Sequence, residues 1–228
     1  MKKVGIIGGI GPVSTLDYYS GIISGVRAKT DCDDYPEIVI DSVNMTEMVS
    51  YVSNKNWDAL VNMLLKSITH LANAGADFAA IASNTPHIVF DKVQKESVLP
   101  LISIVDATCA YVQRKGCKRV VVIGTRFTMS SGLYTDAFKK YDITAIVPSD
   151  NEQTVIHGII FPKLEDGIVV PEDKKKMLRI ARDLLSKHNA DGLVLGCTEL
   201  PLMIKDDDLD TQIFNTTQIH VDAIVNCV

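Results

Sequence analysis

The chain has 228 residues, 46% hydrophobic and 22% charged, which places it among ordinary globular proteins and outside the disordered and fibrous classes. Its 23 Lys and Arg against 28 Asp and Glu leave a net charge of −5 with no basic stripe, which argues against a nucleic-acid partner. No apolar run reaches the roughly 18–20 residues of a membrane span, so no membrane partner is expected either. The five cysteines, Cys32, Cys109, Cys117, Cys197 and Cys227, make no C-x-x-C pair and no metal-ligand spacing. An odd number in a chain of this size points to reduced thiols and a cytoplasmic setting.

The N-terminal Met1-Lys2-Lys3 is followed by an apolar run too short and too glycine-broken for a secretory signal, and it reads as a buried strand. In chain order, strands are predicted at Lys3–Ile7, Glu37–Val43, Phe78–Ala82, Leu101–Ile104, Arg119–Ile123, Ile143–Val147, Gly192–Gly196 and Gln212–Phe214. Several are continuously apolar, as suits strands of a parallel sheet covered on both faces. Between them run helical patterns. One places Trp57, Leu60, Val61, Leu64, Leu65, Ile68, Leu71 and Ala72 on a single face, with Gly75 as its stop. Another stripes Met177, Leu178, Ala181, Leu184 and Leu185 between Pro171 and Asn189. The alternation predicts an α/β fold with right-handed crossovers.

The chain also echoes itself. Lys3–Gly9 resembles Arg119–Thr125, with Val4 matching Val120 at an offset of 116 residues. Ala76–Thr85 resembles Ala190–Glu199, with Ser83 matching Cys197 at an offset of 114, which is half the chain. Two copies of one α/β unit are therefore expected, the division falling near Leu99-Pro100 and the C-terminal helix returning to the first half. The expected domains are residues 1–99 plus 212–228, and 100–211. Ligands of open parallel sheets bind beyond the carboxyl ends of the strands. The four echoed turns sit at such ends: Gly8–Gly11, Ser83–Thr85, Gly124–Thr128 and Cys197–Glu199. A pseudo-twofold axis would set them across a cleft, with Ser83 and Cys197 on either side of one small ligand.

Each turn has a chemical reading. Gly8-Gly9-Ile10-Gly11-Pro12 departs from the dinucleotide fingerprint, since Ser14 stands at the third glycine and Pro12 lacks a donor. Its backbone amides at Gly9 and Ile10, with the Ser14 and Thr15 hydroxyls, can instead hold a carboxylate, or the turn can serve close packing alone. Ser83-Asn84-Thr85-Pro86-His87 offers hydroxyl and amide groups where a helix opens, with N-capping as the plainer alternative; His87 can serve as a base, the plainer reading being a surface or capping histidine. Cys197 ends a buried strand before polar residues and a predicted helix, a setting expected to lower its thiol pKa. Thr125 and Thr128 can bind the far end of an anionic ligand, and Lys163 can pair with a second carboxylate, although exposure is the usual fate of a lysine.

Four segments, Gly8-Gly9-Ile10-Gly11-Pro12, Asn84-Thr85-Pro86-His87, Gly124-Thr125-Arg126-Phe127-Thr128-Met129 and Gly196-Cys197-Thr198-Glu199-Leu200-Pro201, together resemble the aspartate/glutamate racemase family of cofactor-independent amino-acid racemases. The resemblance implies two Rossmann-like domains with pseudo-twofold symmetry and a small amino acid in the cleft between them. It also implies a homodimer and no PLP, metal or nucleotide. It makes Cys197 and the residue at position 83 the two acid–base groups. It expects substrate contacts from Gly9, Ile10, Asn84, Thr85, Thr125, Lys163, Thr198 and Glu199. Where such enzymes usually carry the first cysteine, this chain has Ser83. A hydroxyl is a poor proton acceptor near neutrality without an activating neighbour. An engineered replacement, a natural one-directional racemase and a changed chemistry all remain open. The stretch Met48–Trp57, where similar racemases offer arginine, has only Lys55. Single-cysteine decarboxylation or isomerisation of a small diacid, and amino-acid binding without turnover, are the alternatives to racemisation.

Overall fold

The computed structural model describes residues 1–30 and 34–228; Cys32 lies outside the described residues. Among the described residues, eight strands form two four-stranded parallel sheets. They are β1 (Val4–Gly8), β2 (Ile38–Ser42), β3 (Phe78–Ile81), β4 (Leu101–Ile102), β5 (Arg119–Gly124), β6 (Thr144–Ile146), β7 (Gly192–Gly196) and β8 (Gln212–Asn215). The first sheet runs β2-β1-β3-β4 and the second β6-β5-β7-β8, the same order displaced by four strands. Helices α1 (Pro12–Thr30), α2 (Met45–Ser53), α3 (Trp57–Asn73), α4 (Phe90–Glu96) and α5 (Ile104–Arg114) occupy the first half of the chain. They are followed by α6 (Arg126–Ser130), α7 (Leu133–Lys139), α8 (Asp150–Ile159), α9 (Pro171–His188), α10 (Leu200–Met203) and α11 (Thr216–Val225).

The chain divides into two compact units, Met1–Ile104 with Thr217–Val228, and Val105–Thr216. These bounds differ from the expected ones at two places, and pairing explains both. β4 is bonded to β3, which holds the residues after Pro100 in the first unit. β8 is bonded to β7, so the return to the first unit begins at Thr217 rather than at residue 212. β4 also stops short of Ile104, whose amide turns to the His87 ring as α5 begins.

The internal echo is built into the hydrogen bonds. After α3, Gly75 adopts φ +84°, its amide donates to Ala72, and the Ala76 amide donates to Leu71. After α9, Asn189 adopts φ +46°, its amide donates to Ser186, and the Ala190 amide donates to Leu185. Both are left-handed helix stops closed by the same pair of bonds. The next residue repeats as well. The Asp77 carboxylate accepts the Lys3 amide at 2.7 Å while the Asp77 amide donates to the Lys3 carbonyl at 2.9 Å. The Asp191 carboxylate accepts the Lys118 and Arg119 amides at 2.6 and 2.8 Å, and its amide donates to the Arg119 carbonyl at 2.7 Å. Each clasp fixes where the central strand starts, and hence the height at which the following turn emerges.

In the first unit α11 closes over α1. Val221, Ile224 and Val225 join Tyr18, Ile22 and Val26 in one apolar cluster. Gly21 and Gly25 permit the approach: a methyl on either would meet Val221 at 3.1 Å or Val225 at 2.8 Å. The second unit buries Met177, Leu178, Ile180, Ala181 and Leu184 of α9 against β5 and β7, in a cluster that includes Cys197.

Candidate active site

Parallel register delivers the turns of each unit in pairs. In the first unit Ile7 lies beside Ile81, so the Gly8–Gly11 and Ser83 turns leave adjacent strands. Gly9 and Gly11 take φ of +78° and +91°, and a Cβ on Gly9 would fall 2.5 Å from the Val43 carbonyl oxygen. Three of the groups expected to hold a carboxylate here, the Gly9 amide and the Ser14 and Thr15 hydroxyls, are already engaged. The Gly9 amide donates to the Thr15 hydroxyl at 2.9 Å, that hydroxyl donates to the Gly11 carbonyl, and the Ser14 hydroxyl donates to the Ala82 carbonyl at 3.1 Å. Ser14 thereby ties α1 to the residue before Ser83. Ile10 is buried.

Ser83 and Asn84 are buried, and Thr85 opens a single 3₁₀ turn, Thr85–Val89, that leads into α4. His87 is not the surface residue expected from sequence. It is buried; its Nε2 accepts the Ile104 amide at 3.2 Å, so Nδ1 carries the proton and donates to the Ser83 carbonyl at 2.9 Å. His220 is likewise fixed. Its Nε2 donates to the Ile102 carbonyl at 2.9 Å, leaving Nδ1 to accept the Tyr18 hydroxyl at 2.7 Å. The two rings meet edge to face at 6.2 Å. Burial holds both neutral: His87 is pulled down to about 3 by burial and by its neighbour, and His220 to about 4 by burial. His87 therefore positions the backbone of Ser83; no proton is available from it for the Ser83 hydroxyl at neutral pH.

In the second unit Gly124 lies beside Gly196 with no room for a side chain, since a Cβ on Gly124 would stand 2.8 Å from the Gly196 carbonyl oxygen. This brings the Thr125 and Cys197 turns side by side. Thr125 caps α6, its hydroxyl accepting the Thr128 amide and lying 3.1 Å from the Thr128 hydroxyl. Arg126 is exposed and donates to Thr154. Lys163 is exposed on the turn that follows α8.

Cys197, Thr198 and Glu199 are all buried. The Cys197 thiol donates to Glu199 Oε2 at 3.0 Å, and the Thr198 hydroxyl lies 2.9 Å from both oxygens of the same carboxylate. The expected acidified thiol is overturned. Burial first, then the Glu199 charge and hydrogen bond, push the Cys197 pKa well above its ordinary value, and Glu165 adds to the shift. The helix that was to stabilise a thiolate, α10, has only four residues and little field to offer. Glu165 is a member of this site that sequence reasoning missed. Burial, then the charges of Glu199 and Asp166, push its carboxyl up to about 7. Its nearest sequence signal was its place two residues after Lys163.

The first unit also holds an open cavity of about 530 Å³ between β2, α2 and α3, walled in part by Asp41, Tyr51, Lys66 and His70. None of the expected site residues lines it.

The profile of the family described as Asp/Glu/hydantoin racemase matches residues 7–224. The chain belongs to this family. Over 203 residues it is 24% identical to the broad specificity amino-acid racemase RacX of Bacillus subtilis, a match covering 86% of this chain and 85% of that protein. The structure of an aspartate racemase homologue from Pyrococcus horikoshii has a TM-score of 0.87 and 35% identity, covering 100% of this chain and 99% of that one. The aspartate racemase of Picrophilus torridus has a TM-score of 0.77 and 26% identity, covering 100% and 94%. Among Asp/Glu/hydantoin racemase relatives, then, the two repeated α/β units are a shared architecture, and Cys197 stands in a turn of the second.

Proposed function

We propose that this chain is a PLP-independent racemase of aspartate or glutamate, working as a cytoplasmic homodimer. Racemisation removes a proton from one face of Cα and delivers one to the other, so two acid–base groups on opposite faces do the work without turning the ligand. Cys197 and Ser83 are the pair. The observation that carries the reading is the repeat itself: Ser83 and Cys197 lie in the turns just past β3 and β7, which follow matching clasps at Asp77 and Asp191. Asn84, Thr85, Thr125 and Thr198 hold the α-carboxylate and ammonium, with the Ile10 backbone and Glu199 beside them. Lys163 reaches the second carboxylate. Of the Gly8–Gly11 turn, Gly9 acts by shaping the backbone, because its amide is already bonded to Thr15.

Ser83 limits the rate. Lacking one general acid–base group typically costs roughly 10²–10⁴-fold. Incubating the protein with L-aspartate and with L-glutamate in D₂O tests the reading. Deuterium at Cα with appearance of the D-enantiomer supports it, and an unlabelled, unchanged amino acid at high enzyme concentration refutes it. One observation favours a second reading. The Cys197 thiol donates its proton to Glu199, and a thiol held protonated, with only a weak base at position 83, suits single-sided protonation of a carbanion, as in decarboxylation or isomerisation of a small diacid. Gas release from a malonate-type acid identifies that case.

A further inference from the structure

The thiol whose sequence setting was expected to favour the thiolate is held as a proton donor. Cys197 donates its proton to a carboxylate two residues away, at 3.0 Å, and that carboxylate is itself buried. Thr198 donates to the same group and orients it. Nothing in this geometry draws the proton off sulfur: an ionised carboxylate accepts a hydrogen bond from a thiol and repels a thiolate. The groups acting on Cys197 come from two elements. Its own turn supplies Glu199, whose backbone amide favours the thiolate and whose side chain opposes it. The turn after α8 supplies Glu165, which is itself under the charge of Asp166. The two charged groups that act on the thiol, Glu199 and Glu165, are both carboxylates of the second unit.

We propose that Glu199 is a positioning residue that fixes Cys197 as a protonated thiol and so makes it the proton-donating member of the site. This rests on the reading of Cys197 as an acid–base group. In the donating step the S–H bond breaks, a C–H bond forms at Cα, and the negative charge passes from the carbanion to sulfur. Solvent then returns a proton to sulfur. Sulfur bearing that charge beside Glu199 is short-lived, which drives reprotonation and resets the donor.

The test is the ultraviolet thiolate absorbance as a function of pH, each protein read against its own Cys197→Ala counterpart so that only position 197 contributes. In the wild type the thiolate should appear above the ordinary thiol value of about 8.5. Glu199→Gln keeps an acceptor oxygen and removes the charge. It should move the midpoint down by one unit or more, each unit giving up to about tenfold more thiolate at pH 8. Glu199→Asp, which keeps the charge, should leave the midpoint above the ordinary value. In turnover, the alkaline limb of the pH–rate profile should move down with the Gln variant by the same step. An unchanged midpoint in Glu199→Gln overturns the proposal. So does a wild-type midpoint at or below about 8.5, which decides the matter even if the Gln variant does not fold. The titration needs no turnover, so a protein that fails to racemise aspartate or glutamate leaves this result readable by itself.

Discussion

Acidification should weaken the first unit through two side chains, His87 and His220. Each is buried, each bridges two groups of the protein through defined ring nitrogens, and each is neutral in the folded state. Their folded values, about 3 and about 4, lie below the unfolded value near 6.5. The unfolded chain therefore binds more protons than the folded one throughout the interval between. Stability is complete above about pH 6.5 and falls as the pH drops toward the folded values. At pH 5.0 the protonation of one unfolded histidine with a pKa of ~6.5 favours unfolding by about 2 kcal/mol, and the two together by up to about 4 kcal/mol. Trp57, the single tryptophan, starts α3 in the first unit and reports on it. Urea unfolding followed by Trp57 fluorescence at pH 7.5 and 5.0 measures the loss. His87→Gln and His220→Gln lower stability at pH 7.5, but each should also remove about half of the pH-dependent part. A wild-type loss below about 1 kcal/mol, or glutamine variants that lose as much as the wild type on acidification, would refute the assignment of buried neutral imidazoles.

Three other outcomes are expected. Ser83→Cys should raise racemisation of the preferred substrate by about two decades or more, read by chiral chromatography, and no gain with the fold intact counts against two-sided proton transfer. Cys197→Ala should abolish exchange of the Cα proton in D₂O, and retained exchange removes the thiol from the chemistry. Gly9→Ala forces a side chain into φ +78° and against the Val43 carbonyl, which should cost about 1–3 kcal/mol and lower the melting temperature of the first unit; an unchanged melting temperature would mean that the turn relaxes freely.

Each described strand was legible in the sequence because it is built on a few consecutive apolar residues beside a polar or glycine turn, and the helix stops at Gly75 and Asn189 were legible because each closes an amphipathic stripe. The offset of 114 residues was readable for the same reason, since a repeated clasp and a repeated helix stop leave repeated residues. What the sequence hid was the electrical state of the site. Whether Cys197 is acid or base depends on the direction of the Glu199 carboxylate, and adjacency in sequence does not give direction. His87 was misjudged because a histidine after a proline reads as a cap, whereas its burial follows from Ile104, a residue brought to it by the β4–α5 junction. Likewise the Ser14 and Thr15 hydroxyls read as ligand groups until their backbone acceptors are known.

The repeat also explains how two turns on one frame acquire different chemistry. At the offset of 114 residues, Asn84 corresponds to Thr198, Thr85 to Glu199 and His87 to Pro201. The first turn therefore carries a neutral imidazole under its backbone and no carboxylate of its own, while the second carries a carboxylate on its thiol. A thiol placed at position 83 would be freed of the charge that holds Cys197 protonated. In Ser83→Cys the new thiolate should form at a lower pH than that of Cys197, giving a base at one position and an acid at the other. Difference absorbance between Ser83→Cys and the wild type isolates it. If the new thiol titrates above Cys197, the turn at residues 83–87 lacks the environment of a base, and the asymmetry between the two turns has no part in proton transfer.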